Sequence, residues 1–232
     1  MTPIVTAMLC AFGFGFGAAY VLLPMAEEIP LRLERQWASE LEAHAQATSD
    51  APESTTHSYT LAHKAAIVVA AMLLGFVVIT TYGSTTAGAA YSFYYFSLLL
   101  LVAINVKHML LPDSVVLPTL WVGLLYHAST GGTADYVYGA TAGYLVPFLI
   151  AFALKLVTRR EFIGRGDLKS LAMAGAWFGM AALPTIAAAF VVGVIVWAIV
   201  MRLVSRKSRG LVPSGPAHLL ASLAVTLGAR AF

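Results

Sequence analysis

A run of eight apolar stretches, near residues 4–24, 65–82, 87–105, 114–129, 136–157, 168–182, 184–201 and 215–229, governs what this chain can fold into. Each is long enough, or nearly so, to cross the hydrocarbon of a bilayer, and those at 114–129, 168–182 and 215–229 are the shortest. A chain of 232 residues that is 59% hydrophobic and 11% charged, with a mean hydropathy of +0.81, cannot hide so much apolar surface in one water-soluble core. Uninterrupted runs such as Phe96 to Ile104 and Phe190 to Val200 lack the alternation of a membrane β-barrel. A helix satisfies its own backbone hydrogen bonds in lipid, so the expected fold is all-α, a polytopic membrane protein with about eight transmembrane helices.

Basic residues set the orientation, because loops rich in Lys and Arg stay in the cytoplasm. With eight spans, Arg32, Arg35 and Lys64 border the first loop and Lys107 the second. Lys155, Arg159, Arg160, Arg165 and Lys169 border the third, and Arg202, Arg206, Lys207 and Arg209 the fourth. Connections near Gly83–Gly88, Gly131–Asp135 and Pro184 carry no Lys or Arg and are expected outside, with both termini; Arg230 alone is opposite. The net charge of +3 is thus accounted for at a membrane surface, and no aromatic-interleaved basic stripe points to nucleic acid.

Three regions are expected: a first transmembrane helix over 1–24, a cytoplasmic segment over 25–64, and a membrane-embedded core over 65–232. The first stretch has no basic n-region and no small-residue cleavage site before Pro24, so it reads as retained. In the second region Glu27, Glu28, Arg32, Glu34, Arg35, Glu40 and Glu42 surround Leu31, Leu33, Trp37 and Leu41, the pattern of an amphipathic interfacial helix. A polar linker follows from Thr48 to Ser58. Cys10 is the sole cysteine, which excludes an intrachain disulfide and a Cys-based zinc cluster; His44, His57 and His63 are spaced as solvated linker residues. The cluster Tyr91-Ser92-Phe93-Tyr94-Tyr95-Phe96 is expected at the outer membrane–water boundary, and Gly13, Gly15 and Gly17 suit close helix packing.

Two stretches carry chemistry. In Gly164-Arg165-Gly166-Asp167-Leu168-Lys169 an acid stands where a basic loop enters an apolar helix. A carboxylate at a membrane edge is costly unless it serves something. Its plain reading is a helix cap shaped by two glycines. Around the preceding cytoplasmic turn, Asn105, Lys107, His108, Pro112 and Asp113 precede Leu117-Pro118-Thr119-Leu120-Trp121-Val122-Gly123. There too Pro112 at a turn and Asp113 at a helix start have a purely structural reading.

Together these stretches resemble the type IV prepilin peptidases, polytopic aspartyl proteases with a GxGD motif. Gly164-Arg165-Gly166-Asp167 is similar to that motif, and Leu111-Pro112-Asp113 through Leu125 to a second signature. Ala174-Gly175-Ala176-Trp177-Phe178-Gly179 and Ser214-Gly215-Pro216 resemble further family elements, and the likeness runs over about residues 95–225. The resemblance implies hydrolysis, at the cytoplasmic face of the bacterial inner membrane, of the basic leader of prepilins or pseudopilins. Many members also methylate the new N-terminus with S-adenosylmethionine, which would be the only small-molecule cofactor; proteolysis needs none, and the zinc-binding insertion of larger members has no counterpart here. The chemistry uses two carboxylates around one water, one ionised and one protonated. Asp167 corresponds to the second catalytic aspartate, and the position of the first, eight residues before Asp113, holds Asn105. An amide neither takes nor gives a proton at working pH, so the chain as written is expected to be inactive or impaired. An engineered Asp-to-Asn change or a natural homologue without catalysis would each account for it, and a prepilin-binding assembly factor is the rival function. A transporter is disfavoured because Asn105, Asp113 and Asp167 lie at the membrane edge rather than midway. So is an intramembrane serine protease, since no GxSxG occurs and His127 falls on the outer side.

Overall fold

The structure, a computed structural model, describes residues 3–44, 59–159, 163–204 and 212–228. The linker expected over Thr48–Ser58, with His57, and the basic residues Arg160, Arg206, Lys207, Arg209 and Arg230 lie outside the described residues. Every described regular element is helical: α1 (Pro3–Gly17), α2 (Leu23–His44), α3 (Leu61–Tyr82), α4 (Thr86–His108), α5 (Asp113–Thr130), α6 (Thr133–Thr158), α7 (Arg165–Phe178), α8 (Leu183–Val204) and α9 (Gly215–Gly228). The chain is a polytopic membrane protein. Among the described residues five helical stretches are long and apolar enough to cross a bilayer: Ile4–Ser39, Leu61–Tyr82, Thr86–His108, Thr133–Thr158 and Met180–Leu203. The apolar stretches expected at 114–129, 168–182 and 215–229 are the shorter helices α5, α7 and α9, each packed on longer neighbours.

Helices α1 and α2 are one continuous rod joined by a π-helical turn, Ala18–Leu22. Pro24 explains the turn's position. Its ring clashes with the carbonyl four residues back and it has no N–H to donate, so the rod widens locally and continues. The amphipathic α2 therefore starts in a fixed direction relative to α1 rather than on a flexible joint.

Glycines set the closest crossings. A Cβ on Gly139 would lie 2.5 Å from the Gly175 carbonyl oxygen, and one on Gly143 2.7 Å from that of Leu171, so α6 and α7 touch backbone to backbone. Gly15 faces Met72 and Gly75 faces Phe14, which brings α1 against α3. Lipid-exposed faces remain apolar, as Phe12 and Phe16 on α1, Leu149 and Phe152 on α6, and Val192 and Ile195 on α8 illustrate.

Helix α4 is the axis of the molecule, packed by α2, α3, α5 and α9. Its Tyr91, Tyr94 and Tyr95 correct the expectation of an aromatic belt at the outer boundary: all three are buried. Tyr94 shares a 2.7 Å hydrogen bond with Ser222, Tyr95 donates to the Ser222 carbonyl at 2.9 Å, and Tyr91 donates to the Trp177 carbonyl at 2.9 Å. Rings that bury their edges against α7 and α9 and find hydroxyl partners there need no interface. His127 lies in the last turn of α5, at the end opposite the basic residues, and is buried, with Nε2 3.1 Å from the Trp177 carbonyl and its ring stacked on Tyr136.

Gly175→Val should break the α6–α7 crossing, since side-chain atoms would enter space held by backbone that cannot retreat. A destabilisation of about 3 kcal/mol is expected, read as a lower unfolding midpoint in detergent, whereas Gly228→Ala, in open space, should leave the midpoint in place.

Candidate active site at the end of helix α4

Helix ends segregate. At one end lie the C-termini of α4 and α6 and the N-termini of α5, α7 and α9, where Lys107, Lys155, Arg165 and Lys169 gather. There α4 stops because Met109 takes a left-handed conformation (φ 55°), after which the chain turns through Pro112, the N-cap of α5. Pro112 cannot extend a preceding helix, which fixes the turn.

Asn105 sits in the last turn of α4 and is buried, 3% exposed. Its Oδ1 accepts a 2.7 Å hydrogen bond from the Gly215 N–H, at the first turn of α9, and its Nδ2 faces the Leu110 carbonyl at 3.5 Å. Gly215 is required by this approach, because a Cβ there would lie 3.0 Å from Asn105 Cβ and 3.1 Å from the Val102 Cα.

Asp167 occupies the first turn of α7, where the dipole favours an anion. The N-cap is Gly164 rather than Asp167, so the cap expected at Asp167 is replaced by a reciprocal arrangement. The Asp167 N–H bonds the Gly164 carbonyl at 3.1 Å, and the carboxylate accepts from the backbone of Gly164 in return. Asp167 Oδ1 also accepts from Ser214 Oγ at 2.5 Å and lies 3.2 Å from His218 Nε2. Burial alone would raise this carboxyl. The hydrogen bond and charge of His218, with the bonds from Ser214 and Gly164, more than offset that and hold it below the ordinary value of 3.8.

The structure thus brings together two of the residues singled out in the sequence, through adjacent residues of the segment entering α9: Ser214 holds Asp167 and Gly215 holds Asn105. Gly166 lies close by, where a Cβ would meet Leu111 at 3.0 Å. Asp113 and Lys169 form a separate pair. Lys169 Nζ lies 2.6 Å from Asp113 Oδ2 and ties the start of α5 to α7, so Asp113 is spoken for by a cation rather than by helix capping. Being largely exposed, the pair contributes little beyond alignment. His218 was missed in the sequence. Buried at 4% exposure, it carries the ring of Phe190 at 4.5 Å and lies on an apolar helix four residues after Ser214. A histidine inside an otherwise apolar stretch was the signal available.

The segment before α3 is anchored beside the site. The Tyr59 hydroxyl donates to the Ala103 carbonyl at 2.8 Å, its ring lies under the Lys107 ammonium, and its N–H bonds Glu27, which pairs with Lys64. Burial and then the Glu27 charge push the phenol up to about 12, so it stays a neutral donor.

Among the described residues no group of three or more His, Cys, Asp and Glu side chains lies together as a metal site. The cavity beside α7 at this end, lined by Phe148, Phe152, Lys155, Ile163, Arg165 and Leu168, has a volume of about 160 Å³. That is small for a nucleoside and presents cations to a sulfonium, so it does not fit S-adenosylmethionine.

The fold is a membrane-embedded helical scaffold that holds a partly buried carboxylate, Asp167, where a short helix begins. Residues 92–201 match the model of the type IV leader peptidase family. Among similar proteins is a prepilin leader peptidase/N-methyltransferase of Stutzerimonas stutzeri, 42% identical over 116 residues, 49% of this chain and 40% of the relative. One from Escherichia coli K12 is 41% identical over 130 residues, 55% of this chain and 57% of the relative. One from Aeromonas hydrophila is 48% identical over 88 residues, 37% of this chain and 30% of the relative. The chain therefore aligns with about half, or less, of the length of these relatives. No solved structure matches it.

A depressed carboxyl stabilises the fold above its unfolded pKa, and that contribution disappears as pH falls through the lower folded value. Acidification from pH 6 to about 3 should therefore lower the unfolding midpoint of this protein more than that of Asp167→Asn. Equal losses in the two proteins, followed by thermal melting in detergent, would remove Asp167 as the cause.

Proposed function

We propose that this chain is a prepilin or pseudopilin leader peptidase that uses aspartyl-protease chemistry at the cytoplasmic face of the bacterial inner membrane, blocked in its two-carboxylate form by Asn105. The observation that carries this reading is the convergence of Asn105 and Asp167 on adjacent residues, Ser214 and Gly215, in a chain whose residues 92–201 match the leader peptidase family. The gathering of Lys and Arg at that end favours the cytoplasm. A basic leader would meet Asp167 there, while the hydrophobic helix of the substrate stays in lipid.

Asp167, held ionised by His218, Ser214 and Gly164, suits the general base that takes a proton from water. The other role needs a protonated acid. Asn105 offers a donor in the same place, since its Nδ2 faces the Leu110 carbonyl, but has no proton to give up. A carboxyl introduced by Asn105→Asp would keep the Gly215 bond on one oxygen and face a carbonyl with the other, an environment that favours the protonated form. Methylation of the new N-terminus stays with the relatives whose names state it, and no methyl-transfer step is assigned to these residues. Asn105 itself favours one rival, a prepilin-binding assembly factor without catalysis.

In liposomes, Asn105→Asp should cleave a prepilin at the leader junction on the order of 100-fold faster than the unaltered chain. Adding Asp167→Ala should abolish that gain. If Asn105→Asp binds prepilin and does not cut it, the assembly-factor reading takes its place.

A further inference from the structure

We propose that His218 is the second proton-transfer group of this site, pairing with Asp167 in the role that Asn105 cannot fill. The inference rests on the peptidase reading above. Three observations carry it. His218 Nε2 lies 3.2 Å from Asp167 Oδ1, within reach of direct proton exchange. The imidazole is fixed: it is buried, covered by Phe190, and carried on a turn of α9 whose His218 carbonyl accepts from Ser222 Oγ at 3.0 Å. Asn105 has its carbonyl oxygen engaged by Gly215, which leaves His218 as the titratable side chain bonded to Asp167.

A purely structural reason for this histidine is weak. Placing an imidazole in an apolar helix at a membrane edge costs free energy that an aliphatic residue would not. The side chain of Asp167 is 18% exposed and that of His218 4%, so water reaches the carboxylate while the imidazole stands behind it.

The reaction balances without a second carboxylate. Ionised Asp167 takes a proton from water as the water oxygen bonds to the scissile carbonyl carbon. Imidazolium Nε2 of His218 gives its proton to the amide nitrogen as the C–N bond breaks, releasing the leader acid and the amine. The proton held by Asp167 then crosses to Nε2 and restores the carboxylate–imidazolium pair. A carboxylate and an imidazole in direct hydrogen-bond contact suit both transfers.

The test measures leader cleavage of a prepilin in liposomes by the unaltered chain, Asp167→Ala, His218→Gln, His218→Glu and Asn105→Asp. Glutamine keeps a hydrogen-bond donor toward Asp167 and loses the transferable proton; glutamate restores a titratable group. The unaltered chain should cut at least tenfold above Asp167→Ala, His218→Gln should fall to that background, and His218→Glu should recover part of the rate. A structural role would be met by glutamine as well as by histidine, so equal rates for His218→Gln and the unaltered chain overturn the proposal. So does an unaltered chain no faster than Asp167→Ala while Asn105→Asp cuts, an outcome that leaves the peptidase reading standing. If Asn105→Asp fails to cut as well, the peptidase reading falls and this one with it. Matching melting midpoints and prepilin crosslinking for the two His218 variants establish that the fold is intact.

Discussion

The entry into α9 is the joint on which the site depends. Ser214 and Gly215 are consecutive, and one takes hold of a side chain on α7 while the other takes hold of one on α4. Neither helix could place its polar residue alone, because each presents that residue at a terminus where backbone groups compete for the same partners. With α9 docked against both helices, the carboxylate of Asp167 and the amide of Asn105 are both hydrogen-bonded by adjacent residues of one segment. Removing a buried partner from such a joint costs more than the bond itself, since the orphaned group is left desolvated.

The rest of the fold holds that joint still. Glycine pairs let α6 approach α7 to backbone contact, Trp177 fills the space over Gly123 while donating to the Thr119 carbonyl at 2.9 Å, and the α4 tyrosines clamp α9 through Ser222 and Thr226. In lipid the hydrophobic effect does not drive helices together, so close packing and hydrogen bonds between helices carry the association. That explains why polar residues such as Tyr95, Thr119, Ser222 and Thr226 are found among the most buried side chains. The ion pair between Asp113 and Lys169 and the anchor through Tyr59 act at the rim, where they align the helix ends rather than hold the core.

A sequence reading in terms of apolar runs was right about what lipid demands and wrong where polar groups had chosen protein instead. The tyrosines of α4 read as interfacial because hydroxyls ordinarily seek water; the hydroxyls of α9 supplied the partners. Residues 1–24 and 25–64 read as separate regions, and a π-helical turn before Pro24 joins their helices into one rod. From its surroundings in the sequence Asp167 read first as a helix cap, and Gly164 proved to be the N-cap.

By itself the sequence determined the helical, membrane-embedded class and the helix ends at which cations collect, because hydropathy and charge are local properties; the pairing of positions 105 and 167 came only with the family resemblance. Only the tertiary structure decided that Asp113 answers to Lys169, that Asn105 is fastened by Gly215, and that His218 stands against Asp167. Those contacts join residues tens of positions apart, 51 in the case of His218 and Asp167. No local pattern encodes them, since they exist only once α4, α7 and α9 have packed.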